Sequence, residues 1–262
     1  MVDFSIVILN YKSKGLTLNC IKSIKESDFG GLKNEIIVVD NNSNDSIGEI
    51  LSWQYPDIKF IKNKENLGMG EGNNKGIKKA SGKYIIVMNP DTIAFCDTFR
   101  ILFDFMEKNK DVGIVGPLQY NPDKSIQNSC YKFPSFFIPV YRRTPIGKMK
   151  FARKKVDKYL MKDFNHKSTR EVDWLLGSFL FIRSSALEKV GLFDKRFFMY
   201  FEDTDLCRRF WKKKFRVVYN PNAKIIHNHI RQSAQDPWYK FFVNKSARCH
   251  IISWIKYFRK WS

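Results

Sequence analysis

The chain has 262 residues, 44% of them hydrophobic, with 46 Lys and Arg against 26 Asp and Glu and a net charge of +20. That length and apolar content suit one sizeable α/β domain with a C-terminal extension and exclude wholesale disorder. No apolar run reaches the ~18–20 residues of a membrane span. Met1-Val2-Asp3-Phe4 runs straight into a strand-like segment without a leader pattern, and the five cysteines lack CxxC spacing, which points to free thiols in a reducing compartment and away from zinc.

In chain order, Phe4 to Leu9 reads as a buried parallel strand, and residues 14–27 as an amphipathic helix with Leu16, Cys20, Ile21 and Ile24 on its apolar side. Glu35 to Asp40 is a second strand, ending in the polar turn Asp40-Asn41-Asn42-Ser43-Asn44-Asp45, and Ile58 to Ile61 a third. Asn66 to Gly72 reads as a glycine-rich loop and Gly72 to Ala80 as a helix. Then come a strand over 84–88, a helix over 98–108 and a strand over 112–116. Strands alternating with helices imply an open, mostly parallel sheet flanked by helices, with ligands at the rim of strand C-termini. Asp40, Asn66 and Asp91 all fall on that rim.

Residues 117–170 hold five prolines and are expected to be irregular, with no helix before about residue 150. Strand-like content returns over 172–182, followed by helices over 184–190 and 205–213 and a strand over 215–219. The excess charge is concentrated: residues 141–170 carry 11 Lys/Arg against 2 Asp/Glu, and residues 206–262 carry 14 against 1. Such blocks face nucleic acid, an anionic membrane or an acidic substrate, or form a solvated basic face. Trp238 to Trp261 reads as a basic, aromatic-rich amphipathic helix, which either lies in a membrane interface or docks on the protein's own core.

Two acidic motifs carry the chemistry. Asn89-Pro90-Asp91 follows the apolar run Tyr84 to Met88, which places a carboxylate where it can hold a metal-bound phosphate or simply cap the next helix. Glu202-Asp203-Thr204-Asp205 follows Phe197-Phe198-Met199-Tyr200-Phe201, so like charges sit against an apolar wall. That raises the pKa of any desolvated member and suits a general base; the bland alternative is an acidic first turn of a helix. His227 and His229 share one strand face and offer a further metal ligand or a structural histidine.

Taken in order, Ser5 to Tyr11, Val38 to Asp45, Asn66 to Gly76, Asn89-Pro90-Asp91, Gly177-Ser178-Phe179, Phe193-Asp194 to Phe198, Glu202 to Leu206 and His227 resemble the family 2 inverting glycosyltransferases of GT-A fold, especially their rhamnosyltransferase-like branch. The resemblance covers residues 4 to about 233. It implies a domain over 1–235, with a nucleotide-binding half (1–116) and an acceptor half (117–235), followed by a basic extension over 236–262. It implies that Asn10, Asp40, Asn42, Asn66, Gly68, Asn74, Asn89 and Asp91 line the nucleotide site. Asp91 would hold Mn²⁺ or Mg²⁺ on the diphosphate, with His227, or alternatively His229, as a second ligand. Asp203 would be the catalytic base, and Glu202, Trp174, Gly177 and Ser178 would meet the acceptor. Asn89 stands where many relatives have Asp, which leaves fewer carboxylates on the metal.

The implied activity is inverting transfer from a nucleotide-sugar, dTDP-rhamnose or a UDP-hexose, to a hydroxyl of a lipid-linked glycan in bacterial surface polysaccharide synthesis. The expected setting is the cytoplasmic face of the membrane, with the basic helix on anionic lipid. The competing readings are a nucleic-acid-binding protein and a non-catalytic partner of the same fold. The first is disfavoured because the acidic motifs lie outside the basic blocks.

Overall fold

The computed structural model describes residues 2–228 and 244–262. Its strands are β1 (Phe4–Asn10), β2 (Asn34–Asp40), β3 (Lys59–Lys62), β4 (Tyr84–Met88), β5 (Thr92–Ala94), β6 (Val112–Tyr120), β7 (Ile126–Gln127), β8 (Cys130–Tyr131), β9 (Arg170–Glu171), β10 (Trp174–Leu175), β11 (Phe179–Arg183) and β12 (Arg216–His227). Its helices are α1 (Lys14–Lys25), α2 (Ile47–Gln54), α3 (Gly68–Ile77), α4 (Thr98–Lys108), α5 (Ile138–Arg143), α6 (Lys150–Tyr159), α7 (Ser184–Val190), α8 (Glu202–Lys212) and α9 (Lys245–Trp261).

The main sheet runs β3-β2-β1-β4-β11-β6-β12-β5. Strands β3, β2, β1 and β4 are parallel, as are β6 and β12; β11 is antiparallel to both neighbours and β5 to β12. The unbroken apolar runs of the parallel strands follow from burial on both faces. Phe4, Ile6 and Ile8 pack with α1, α2 and α4, whereas Val7 and Leu9 point to the face carrying α3, α7 and α8.

Four expectations are corrected. The glycine-rich stretch is helical from Gly68 onward, because its glycines let a helix lie directly on the sheet. A Cβ at Gly72 would stand 2.7 Å from Leu9, and one at Gly76 2.4 Å from Val7. Gly68 itself adopts φ +79°, and a Cβ there would meet the Phe198 carbonyl. Residues 138–143 form α5 ahead of residue 150, with Pro139 in its first turn where a missing N–H costs nothing. Helix α8 begins at Glu202, so the acids occupy its first turn, where the helix dipole favours negative charge. β12 also continues past Tyr219 to His227.

The C-terminal helix docks on the protein. Its Tyr257 is fully buried against Phe197 and Phe201, with Trp254, Phe258 and Trp261 packed around them. Ile252 and Ile255 stay exposed on its outer side. Residues 238–243 of the expected helix, and His229, lie outside the described residues. Among the described residues no helix is long and apolar enough to cross a membrane.

Candidate active site

Parallel pairing sets Asn10 opposite Asp40 at the ends of β1 and β2. Asn10 Nδ2 donates to Asp40 Oδ1 at 2.8 Å and to Ser43 Oγ at 2.9 Å, while its Oδ1 accepts from the Ser13 and Thr17 hydroxyls. The Ser43 amide donates to the other oxygen of Asp40. Asp40 is thereby fixed by three groups at the edge of a cleft of about 250 Å³ that Asn44, Asp45, Phe60 and Lys62 also line. Asn42 turns the chain there with φ +61°.

Behind it, Asn41 donates to Asn66 Oδ1 and to the Gly68 carbonyl, and accepts from Asn63. Asn10 is completely buried and Asn66 is engaged by Asn41 and the Gly68 amide, so both brace the rim from behind. Asn74 departs from its expected place on the nucleotide: both ends of its amide bond the backbone of Phe193. Gly68 likewise serves packing. Tyr11, quoted in the resemblance without a role, leaves 44% of its surface exposed just beyond β1 and offers a flat face at the same rim.

A second cleft, of about 420 Å³, holds Asn89, Trp174, Gly177, Ser178, Glu202, Asp203 and His227 together. Asp203 Oδ2 accepts from the Gly177 amide at 2.9 Å, and its Oδ1 from the Thr204 amide at 2.7 Å and hydroxyl at 3.2 Å. Burial raises the Asp203 pKa, and these hydrogen bonds only partly oppose it. Burial and the neighbouring Asp203 push Glu202 up to about 8. Glu202 Oε2 is buried and makes no hydrogen bond among the described residues. The two acids are therefore a strained pair in which a single proton is readily retained.

The turn that presents them is itself strained. Tyr200 and Phe201 both take left-handed backbone, φ +70° and +66°, which costs non-glycine residues on the order of 1–3 kcal/mol each. Helix α9 holds this turn: the Tyr200 hydroxyl meets Ser246 Oγ at 2.5 Å, and the Phe201 ring packs on His250 and Tyr257.

The Ser178 side chain is engaged within the fold. Its hydroxyl donates to Gln119 and its carbonyl accepts from the Asn89 amide, so it braces the Asn-Pro-Asp turn. Trp174 is held flat by a stack on Tyr131 with centroids 4.4 Å apart and by an indole hydrogen bond to the Lys132 carbonyl.

Asp91 Oδ1 lies 3.4 Å from His227 Nε2. His227 Nδ1 meets Gln127 Oε1 at 2.6 Å, and the Gln127 amide nitrogen donates to Asn121 and to the His227 carbonyl. With that amide orientation Gln127 Oε1 accepts from Nδ1 and Nε2 faces the carboxylate; an imidazole nitrogen beside a carboxylate is a donor set that suits a borderline divalent cation. Among the described residues no cluster of three His, Cys, Asp or Glu converges on one point; a cation here would take its remaining ligands from phosphate and water. Sequence reasoning did not find Gln127, Arg142, Arg143 or His250, which also border the cleft. The two arginines fall in the basic block, but no local pattern separates them from the surface cations around them.

A parallel sheet with a polar rim and an acid-bearing cleft beside it is the GT-A architecture. The fold matches GalNAc-T7 solved with UDP, GalNAc and Mn²⁺ (TM-score 0.64, 14% identity, 87% of this chain and 44% of that one). It also matches the Pyrobaculum calidifontis mannosyltransferase PcManGT in complex with GDP-Man and Mn²⁺ (TM-score 0.59, 18% identity, 88% and 58%). Residues 5–190 match the profile of glycosyl transferase family 2, and the chain belongs to that family. Among its relatives are the Mycobacterium tuberculosis N-acetylglucosaminyl-diphospho-decaprenol L-rhamnosyltransferase (29% identity; 77% of this chain, 69% of the relative) and the Escherichia coli rhamnosyltransferase WbbL (29%; 84% and 81%). The protein is a glycosyltransferase of glycan synthesis.

Proposed function

We propose that the protein transfers a sugar, with inversion, from a nucleotide-sugar donor to a hydroxyl of a lipid-linked glycan acceptor in bacterial surface polysaccharide synthesis. dTDP-rhamnose is the first candidate donor, on the strength of the rhamnosyltransferase relatives, and a UDP-hexose the second. The observation that carries this reading is the position of Asp203: a buried carboxylate with a raised pKa, in one cleft with Asn89 and His227.

Asp40 takes the nucleoside, with Tyr11 as a stacking face, and Asp91 and His227 border the diphosphate. Mn²⁺ or Mg²⁺ held by Asp91 and His227 would offset charge on the departing nucleoside diphosphate. Asp203 accepts the proton of the acceptor hydroxyl as that oxygen attacks the anomeric carbon. One displacement inverts the centre, so no protein nucleophile is needed. Glu202, kept protonated at neutral pH, donates a hydrogen bond to the acceptor. Trp174 and Tyr131 supply the flat apolar wall a sugar ring packs against. The basic surfaces around α6 and the outer side of α9 hold the enzyme on anionic lipid, at roughly 1 kcal/mol per well-placed cation.

Asp203→Asn tests the core of this. Transfer should fall by ~10²–10⁴-fold, while thermal shifts with a panel of nucleotide sugars, with and without Mn²⁺, stay as in the parent. Full transfer by the folded variant would remove Asp203 from the mechanism.

A further inference from the structure

The cleft beside Asp203 contains a charge that glycosyl transfer does not itself require. Arg142 and Arg143, at the end of α5, and His250, from α9, line it together with Glu202 and Asp203. Of the basic residues in 141–170, these two are the ones that border the cleft among the described residues. The Arg142 guanidinium lies 5.6 Å from the Tyr159 ring, which stacks on Tyr131 and, through it, on Trp174. A planar guanidinium held on a rigid aromatic stack is a pre-set fork for phosphate oxygens.

Burial and the adjacent Arg142 push Arg143 below the usual arginine range, which is the cost an incoming anion relieves. Burial, Arg143 and Arg142 hold His250 down at about 3, so at neutral pH it is an uncharged hydrogen-bonding group, clamped between the Tyr200 and Phe201 rings. Immediately before and after this cluster, Phe137, Met149 and Phe151 leave half or more of their surface exposed, an apolar edge beside a cationic pocket.

We propose that Arg142, Arg143 and His250 form a phosphate-binding subsite for the acceptor, holding the phosphate or diphosphate that joins glycan to lipid. The glycan then extends to Asp203, and the lipid leaves over the apolar edge of α5 and α6. This rests on the acceptor being lipid-linked, as proposed above. Asn89 and His227 border the same cleft; we assign the donor diphosphate to the side carried by the β4–β5 turn and β12, with Asp91 and His227, and the acceptor phosphate to the side carried by α5 and α9.

The test uses the full chain and the Arg142→Gln/Arg143→Gln double variant. The probes are farnesyl diphosphate, inorganic pyrophosphate, UDP, dTDP and phosphatidylglycerol vesicles. Farnesyl diphosphate and pyrophosphate affinity should each fall roughly tenfold or more, with UDP, dTDP and vesicle binding unchanged. The Arg142→Lys/Arg143→Lys variant should recover part of the loss, and an unchanged melting temperature controls for folding.

Equal losses for UDP or dTDP would assign the arginines to the donor and overturn the proposal. So would unchanged farnesyl diphosphate binding, or a loss confined to vesicles, which would make them membrane contacts. Failure of the transfer reaction itself is read separately, from Asp203→Asn and donor hydrolysis.

Discussion

The two clefts of this enzyme prepare their polar groups in opposite ways. At the ends of β1 and β2, polar side chains engage one another: Asn10, Asp40 and Ser43 form one linked set, and Asn41, Asn63 and Asn66 another. At the first turn of α8, Glu202 keeps an unsatisfied buried oxygen, Asp203 is desolvated beside it, and two left-handed aromatic residues lead into them. A site that only binds gains from being fully satisfied in advance. A site that must move a proton gains from a carboxylate whose ionised form is disfavoured until substrate arrives. The cost is offset by α9, which clamps the strained turn and α8.

That clamp is the place to break the comparison hardest. Lys260 bridges Asp205 at 2.6 Å and Asp194 at 2.8 Å, and Asp205 is fully buried, also bonded to Arg209 and the Trp261 indole. Lys260→Met leaves a buried carboxylate short of one cation. It should destabilise the protein by about 2–3 kcal/mol, below the 3–5 of a fully broken buried pair because Arg209 and Trp261 remain. Urea unfolding measures the loss. Transfer should weaken with it, while donor binding holds. An unchanged midpoint would mean that α9 is not what stabilises α8.

Asn10→Ala probes the other cleft. It removes a buried amide that donates to Asp40 and Ser43, and should cost donor affinity on the order of 1–2 kcal/mol with kcat nearly kept. The readout is the split between donor KM and kcat. A fall in kcat with donor KM unchanged would contradict a purely preorganising role for that network.

The same contrast decides what the sequence revealed. β1, β2, β4 and α4 are legible because each is specified by its own residues: a continuous apolar run means a strand covered on both faces, and 3.6-residue spacing means a helix. α3 is misread because its glycines look like a loop until Val7 and Leu9 supply the reason for them, and that reason is tertiary. α5 is masked by Pro139, which a helix start tolerates. In the site, Asp40, Asp91 and Asp203 stand out through motif and order. Gln127 does not, because what makes it matter is a histidine 100 residues away, and His250 reaches the cleft only because α9 folds back. Asn74 and Ser178 are recognisable positions whose side chains are engaged within the fold instead, Asn74 by the Phe193 backbone and Ser178 by the Gln119 side chain.

The smallest effect separates the two clefts most finely. In Glu202→Gln a side chain that keeps its proton at neutral pH is replaced by a permanently neutral one, so the charge facing Asp203 is unchanged and its raised pKa, which burial causes, is kept. The acid limb of kcat/KM, which in the parent should lie above the ordinary aspartate range, should therefore stay in place in the variant. The substitution should show in the pH dependence of stability instead. A solvent-exposed glutamate titrates near 4.5, but in the folded protein Glu202 keeps its proton to about 8. Between those values the folded state binds more protons than the unfolded one, so parental stability falls as pH rises through that window. The glutamine variant should lose that decline and gain on the parent at pH 8. Chemical denaturation at pH 5 and pH 8 distinguishes the cases. Parallel pH dependence of stability in the two proteins would show that Glu202 ionises in the folded state as freely as in water, and the first turn of α8 would then carry no such stored cost.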